Sequence, residues 1–370
     1  MEKRSRRITS LDGLRGVAAL VVLIHHSFLV VPGLSAAYFD GSVPGEFQWL
    51  TYSPLHLIWA GGEAVFVFFV LSGFVLVQPL LKGSTHQWRS YYPARLIRLY
   101  IPVAASVLLA GVLAVVVPRL PMRGRSEWME LHSEPLTITS IVRNTTLTGP
   151  DWLNSPLWSL KWEVIFSLLL PIYLIIAVKT RRLWWATGLV AIVLATTGAI
   201  VGNSYLTYLP IFLIGCAIAT GWPVGATLSQ RWWALLFGAG IVGITSHWWL
   251  SPLLQPGEHV SLPVVLMSSA LVVVASARWR SIETALDRRA VQWLGRVSFS
   301  LYLVHEPIVV SVALLLPPQL AWAVPLISVP IALVVGFLFS KWVERPGHAL
   351  AKAVGARIGL RRSSAARRGA

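Results

Sequence analysis

Apolar residues run along this chain in blocks of about twenty, parted by shorter polar connections. Ten such blocks can be marked, at residues 11–31, 56–78, 96–117, 156–178, 183–201, 205–221, 232–250, 261–277, 297–316 and 321–342. At ~1.5 Å per residue, a helix of that length crosses a hydrocarbon core of about 30 Å. A backbone in lipid must satisfy its own hydrogen bonds, and a single apolar block does so as a helix. The pattern therefore predicts an all-α, polytopic membrane protein with about ten transmembrane helices.

Charge in the connections orients the bundle. Lys3, Arg4, Arg6 and Arg7 precede the first block, whereas residues 32–54 hold no Lys or Arg. Lys82, Arg89, Arg95 and Arg98 follow the second block, and later even-numbered connections carry Lys179, Arg181 and Arg182, then Arg231, then Arg278, Arg280, Arg288 and Arg289. The odd connections 202–204, 251–259 and 317–319 have none. By the positive-inside rule both termini are expected to face the cytoplasm. Of the odd connections only residues 118–155 mix signs, with Arg119, Arg123, Arg125 and Arg143 against Glu127, Glu130, Glu134 and Asp151. That long outer connection fits either a lid over a vestibule or a structureless loop. The domain reading is one transmembrane domain over residues 1–346 and a basic cytoplasmic tail without fixed structure over 347–370.

Composition agrees. Of the 370 residues, 55% are hydrophobic and only 12% charged, against roughly twice that charged share in soluble domains. The net charge of +16 sits between apolar blocks, where topology signals belong, so no nucleic-acid partner is expected. One cysteine, Cys216, provides no disulfide framework, and no His/Cys grouping has zinc spacing, so no metal is expected. The first block is too long for a cleavable signal peptide.

Ionisable groups inside such blocks carry the chemistry, because each costs about 3 kcal/mol on insertion scales. Arg15 and His26 are eleven residues apart, which at ~100° per residue puts them on one helix face about 16 Å apart. Asp12 lies one turn before Arg15. Arg15 fits a topology anchor or one end of a polar track, and His26 fits a packing histidine or a general base. Glu163 lies at a depth similar to His26, where it fits an orienting partner for that imidazole or a structural pair with Lys161 or an arginine. His305 and Glu306 precede Pro307 within the ninth block. Arg95 and Arg98 share a face at the inner end of the third block, which suits phosphate binding as well as topology.

These segments together resemble the acyltransferase-3 family of integral membrane acyltransferases over about residues 8–346. ITSLDGLRGVAALVVLIHHSF is similar to the family's first-helix signature, a basic residue, ten residues and then His, which selects Arg15 and His26 over His25. GGEAVFVFFVLSGFVL, holding Ser72, resembles the second-helix block. ARLIRLYIP resembles the Arg-x-x-Arg block, and LWSLKWEVIF the WSLxxE block with Trp158, Ser159 and Glu163. LGRVSFSLYLVHEP resembles the late SLYLVH block, with Tyr302 and His305, and VERP closes the pattern. Phe66 stands where many members have Asp, and Glu63 is a candidate to take that role.

The resemblance implies O-acyl transfer from cytoplasmic acyl-CoA, by family frequency acetyl-CoA, with no tightly bound cofactor. The acceptor would be a hydroxyl on a carbohydrate-containing molecule, such as a surface polysaccharide, peptidoglycan, a lipid-linked glycan or a macrolide. The implied roles are His26, Arg15 and Glu163 in catalysis and Arg95 and Arg98 at the donor phosphates. Ser72, Trp158, Ser159, Tyr302 and His305 would line the substrate cavity. The expected location is a bacterial cell (inner) membrane, and the bilayer itself is a partner. Two other readings compete: a flippase for a lipid-linked sugar using an Arg/His/Glu proton relay, and a membrane scaffold.

Overall fold

A computed structural model describes residues 8–39, 42–81, 88–121, 123–149, 152–222, 228–254 and 258–368, with side chains described to residue 358 apart from 254–259. The basic cluster Lys3 to Arg7, Lys82 and Asp151 lie outside the described residues, as do the side chains of Arg361, Arg362, Arg367 and Arg368.

The described regular structure is entirely helical. In chain order the helices are α1 (Thr9–Phe28), α2 (Pro32–Phe39), α3 (Gly45–Thr51), α4 (Gly61–Leu81), α5 (Trp88–Val116), α6 (Glu127–Leu131), α7 (Ile138–Thr146) and α8 (Leu157–Lys179). They continue with α9 (Trp184–Ile200), α10 (Ser204–Gly221), α11 (Gln230–Ile244), α12 (Ser246–Leu254), α13 (Glu258–Ser276), α14 (Arg280–Leu286), α15 (Arg289–Leu315), α16 (Val324–Phe339) and α17 (Arg345–Arg368). Among the described residues eight helices are long and apolar enough to span a membrane, or ten if each of two bent pairs is one span. The bent pairs are α11 with α12, at 57°, and α13 with α14, at 83°.

Two span edges differ from the apolar pattern for local reasons. The second span starts at Gly61 rather than residue 56, because Pro54–Trp59 winds as a separate 3-10 turn capped by the Ser53 hydroxyl on the Leu55 N–H at 3.1 Å. Helices α5 and α15 each begin eight residues before the apolar blocks that mark them, since their polar first turns are as helical as the apolar part. At the C-terminal end a structureless tail was expected from residue 347. Instead a π-helical turn over Ser340–Glu344 leads straight into α17, whose Ala and Arg content favours helix.

Two compact units make up the chain: residues 1–83 with 169–298, and residues 84–168 with 299–370. Helices α8 and α15 each contribute to both. In the first unit α4 and α10 approach backbone to backbone. A Cβ on Gly73 would collide with the Phe212 carbonyl, and one on Gly215 with that of Val70. Lipid gives apolar helices little hydrophobic reason to associate, so small residues and close packing supply the attraction.

In the second unit, most of α15 from Phe299 to Ala313 is buried. The described residues of 118–155 form a folded lobe on it. Ser126 caps α6, and Thr137 with Ser140 makes a capping box on α7. Two of the arginines that blurred the charge pattern serve this lobe. Arg119 donates to the carbonyls of Trp152 (2.6 Å) and Leu153 (2.9 Å). Arg125 donates to the carbonyls of Ala313 and Leu316, capping the C-terminal end of α15, where helical partners run out. Burial pushes the Arg125 guanidinium below its usual range.

Candidate functional site

The first unit holds Arg15, His26 and Ser72, each half-buried. Arg15 and His26 lie on one unbroken helix, so the shared face read from their spacing is kept. His26 Nδ1 lies 3.0 Å from the Val22 carbonyl, one turn back. A carbonyl only accepts, so Nδ1 carries the proton and Nε2 of the neutral ring carries the lone pair. That is the tautomer a general base needs.

His25, next to it, is turned elsewhere. Its Nδ1 donates to the Trp59 carbonyl at 2.9 Å, and the ring packs where a Cβ on Gly61 would fall. It joins a box of rings that the sequence did not announce. His56 stacks on Trp248 with centroids 4.0 Å apart, and its Nε2 lies 2.9 Å from the Tyr38 hydroxyl. Trp248 Nε1 donates to Glu63 at 2.8 Å, so the candidate stand-in for the family's Asp is an acceptor for a buried indole. Burial, and then the neighbouring His25, hold the His56 pKa well below the usual histidine range.

The second unit holds the remaining candidates. Arg95 on α5 donates to the Glu163 carboxylate and, through Nε, to Ser167 Oγ at 3.1 Å, both on α8. Only 11% of the Arg95 side chain and 16% of the Glu163 side chain are exposed. The Glu163 carboxylate is engaged by Arg95, the structural pairing that its sequence context left open beside the one with His26. Arg98 is exposed, and its Nε donates to His348 Nε2 on α17 at 3.1 Å. His348 lies 3.8 Å from Glu344, which also accepts from Ser300. Glu344 belongs to the VERP block, so that short motif ties α17 and α15 to the Arg98 end of α5.

Ser159 and Tyr302 are buried and joined hydroxyl to hydroxyl at 2.6 Å, with the Tyr302 hydroxyl 3.1 Å from the Pro156 carbonyl. Trp158, on the next position of α8, is 38% exposed. His305 is fully buried and donates from Nδ1 to the Tyr302 carbonyl at 2.8 Å. Glu306 beside it is the anchor of the 118–155 lobe. It accepts from the N–H and hydroxyl of Ser155, and His132 Nε2 lies 3.2 Å away. His132 Nδ1 itself donates to the Trp128 carbonyl at 2.7 Å. The HEP tripeptide marked Glu306, but no local signal marked His132, Asn154 or Ser155 as its surroundings. Among the described residues no three His, Cys, Asp or Glu side chains are grouped to hold a metal.

The family described as an acyltransferase domain, acyltransferase-3, matches residues 8–343. The acyltransferase MdmB of Streptomyces mycarofaciens is 29% identical, over 94% of this chain and 93% of its own length. The peptidoglycan O-acetyltransferase OatA of Listeria monocytogenes is 24% identical, over 82% of this chain and 49% of its own. The putative peptidoglycan O-acetyltransferase YrhL of Bacillus subtilis is 24% identical with the same coverage. The chain thus spans about half the length of the two peptidoglycan relatives. No solved structure matches it. The match across nearly the whole transmembrane region, with Arg15, His26 and Glu163 inside it, makes the chain a multi-pass membrane O-acyltransferase that belongs to the acyltransferase-3 family.

Proposed function

We propose that this enzyme moves an acyl group, acetyl in the first instance, from cytoplasmic acyl-CoA to a hydroxyl on a carbohydrate-containing acceptor. The observation that carries the reading is the geometry of His26, whose Nδ1 lies 3.0 Å from the Val22 carbonyl, so that a neutral ring would keep its lone pair on Nε2, on the helix face it shares with Arg15. Acyl transfer to an alcohol needs a group that takes the hydroxyl proton or carries the acyl group, and a neutral imidazole does either. The peptidoglycan O-acetyltransferases among the relatives support acetyl and a carbohydrate acceptor.

Donor recognition falls to the α5 arginines. Arg95 is already engaged by Glu163, so Arg98, the exposed one, is the primary contact for CoA phosphates. Glu163 then acts by holding Arg95 in place. The enzyme would sit in the bacterial cytoplasmic membrane with both termini inside, as the charge pattern requires.

Purified protein in detergent, melted with acetyl-CoA, with CoA and with neither, tests the donor. A ligand at 100 times its dissociation constant adds about 2.7 kcal/mol. A clear upward shift that disappears in Arg95→Ala/Arg98→Ala is the expected result. Absence of any shift with short acyl-CoA donors overturns the donor assignment, and acyl transfer surviving His26→Ala overturns the role of His26.

A further inference from the structure

The outer half of α5 carries an apolar groove of about 400 Å³, walled by Ala104, Val107, Gly111 and Val115 and closed on its other side by Ile141 and Thr145 of α7. Both walls belong to the second unit. Its volume falls within the usual range of a ligand pocket, about 300–1,000 Å³. A Cβ on Gly111 would meet nothing nearer than Leu136 Cδ2 at 4.0 Å, so the groove is open at its floor.

Helix α7 is strongly two-faced. Ile138, Ile141, Val142 and Thr145 recur at helical spacing on one side, while Thr139, Arg143 and Thr146 occupy the other. Ile138 is 82% and Val142 51% exposed, and on α5 Leu108 is 70% exposed. Because α5 spans the membrane, the medium around this end of it is hydrocarbon grading into headgroups. A short helix with an apolar face and a basic residue opposite lies in that interface. Its apolar face is then level with lipid chains, and Arg143 is level with their phosphates.

We propose that the groove between α5 and α7 is a binding site for a bilayer phospholipid, with one acyl chain in the groove and the phosphate met by Arg143. An apolar concavity at this depth has no stable filling by water, whose hydrogen bonds the walls cannot replace. Hydrocarbon fills it, and the guanidinium on the polar face selects a lipid with an anionic head. The bound lipid would brace the 118–155 lobe, which grips α15 through Asn154, Ser155 and His132. The inference stands apart from the proposed donor and acceptor.

Native mass spectrometry of the full-length protein tests it. Delipidated protein is supplied with phosphatidylglycerol, with a diacylglycerol of the same chains, or with a polyprenyl phosphate. Gly111→Phe, which fills the groove from α5, is expected to retain one phosphatidylglycerol fewer than wild type. Thr145→Trp does the same from α7 and serves if the first variant does not fold. Arg143→Ala is expected to lower phosphatidylglycerol retention severalfold and leave diacylglycerol unchanged. Equal phosphatidylglycerol counts in wild type and both filled variants overturn the proposal. So does a loss on Arg143→Ala that is the same for both lipids, or a preference for polyprenyl phosphate, which would reassign the groove to a lipid-linked substrate.

Discussion

Asn154 donates its side-chain amide to the carbonyl of Leu303 at 2.9 Å, and Leu303 is four residues before Pro307. Proline has no N–H, so that carbonyl is the one the α15 ladder leaves without a partner. A side chain 149 residues away in sequence therefore completes a helix hydrogen bond. The proline gap is the place where the 118–155 lobe is fastened.

Asn154→Ala is expected to destabilise the protein by about 1–3 kcal/mol, the range for a buried polar group left unpaired. In a Pro307→Ala background the helix supplies its own donor, and the same substitution is expected to do less. Thermal unfolding of the four proteins in one detergent measures the coupling, and equal losses in both backgrounds contradict the account.

Arg95 and Glu163 form a pair that is mostly buried. Removing one partner of such a pair strands the other, at a cost of about 3–5 kcal/mol. Glu163→Ala and Arg95→Ala singly are expected to lower the melting temperature more than half as far as the double variant, and their sum to exceed it. Additive losses would show that the two side chains do not depend on each other.

The buried ring of His56 sets a pH dependence. Its folded pKa is depressed, so below the unfolded value near 6.5 the unfolded chain binds more protons than the folded one. Stability is full above that value and falls as pH drops towards the folded pKa. The melting temperature of the wild type is expected to decline between pH 7 and 5, and in His56→Phe the decline is expected to be shallower. Parallel profiles would remove His56 as the cause.

Where α4 crosses α10, Gly73 faces the Phe212 carbonyl with no room for a methyl group. Gly73→Val is expected to cost about 1–3 kcal/mol through overpacking and a forced backbone shift. Gly62, where an added Cβ would meet nothing within 4 Å, is the control position, and Gly62→Ala should be nearly silent. Detergent melting curves of the two variants decide it.

The spans were legible because twenty apolar residues in a row have few other uses, and the two bent pairs account for the difference between ten blocks and eight continuous spans. The shared face of Arg15 and His26 was legible because a fixed helical period converts spacing into direction. Partner choice was not. Depth alone set Glu163 beside His26, whereas its contact with Arg95 depends on lateral position, which no single segment of sequence carries. The ring box around Trp248 was hidden for a related reason. Trp248 and Glu63 are 185 residues apart, and each is unremarked in its own segment. The lobe over 118–155 was hidden because arginines spent on carbonyls look, in a string of letters, like any other surface charges.

Cys216 is buried in α10, with its sulfur 3.6 Å from the Gly73 carbonyl. Since it is the chain's single cysteine, the wild-type protein is already a quiet background for maleimide labelling. Cysteines introduced one at a time at exposed positions such as Trp49, Ile138, Arg182 and Arg288 can be probed from either side of intact cells without first replacing the native thiol. The side of the membrane on which each connection lies thereby becomes a direct readout, and the charge pattern can be checked one connection after another.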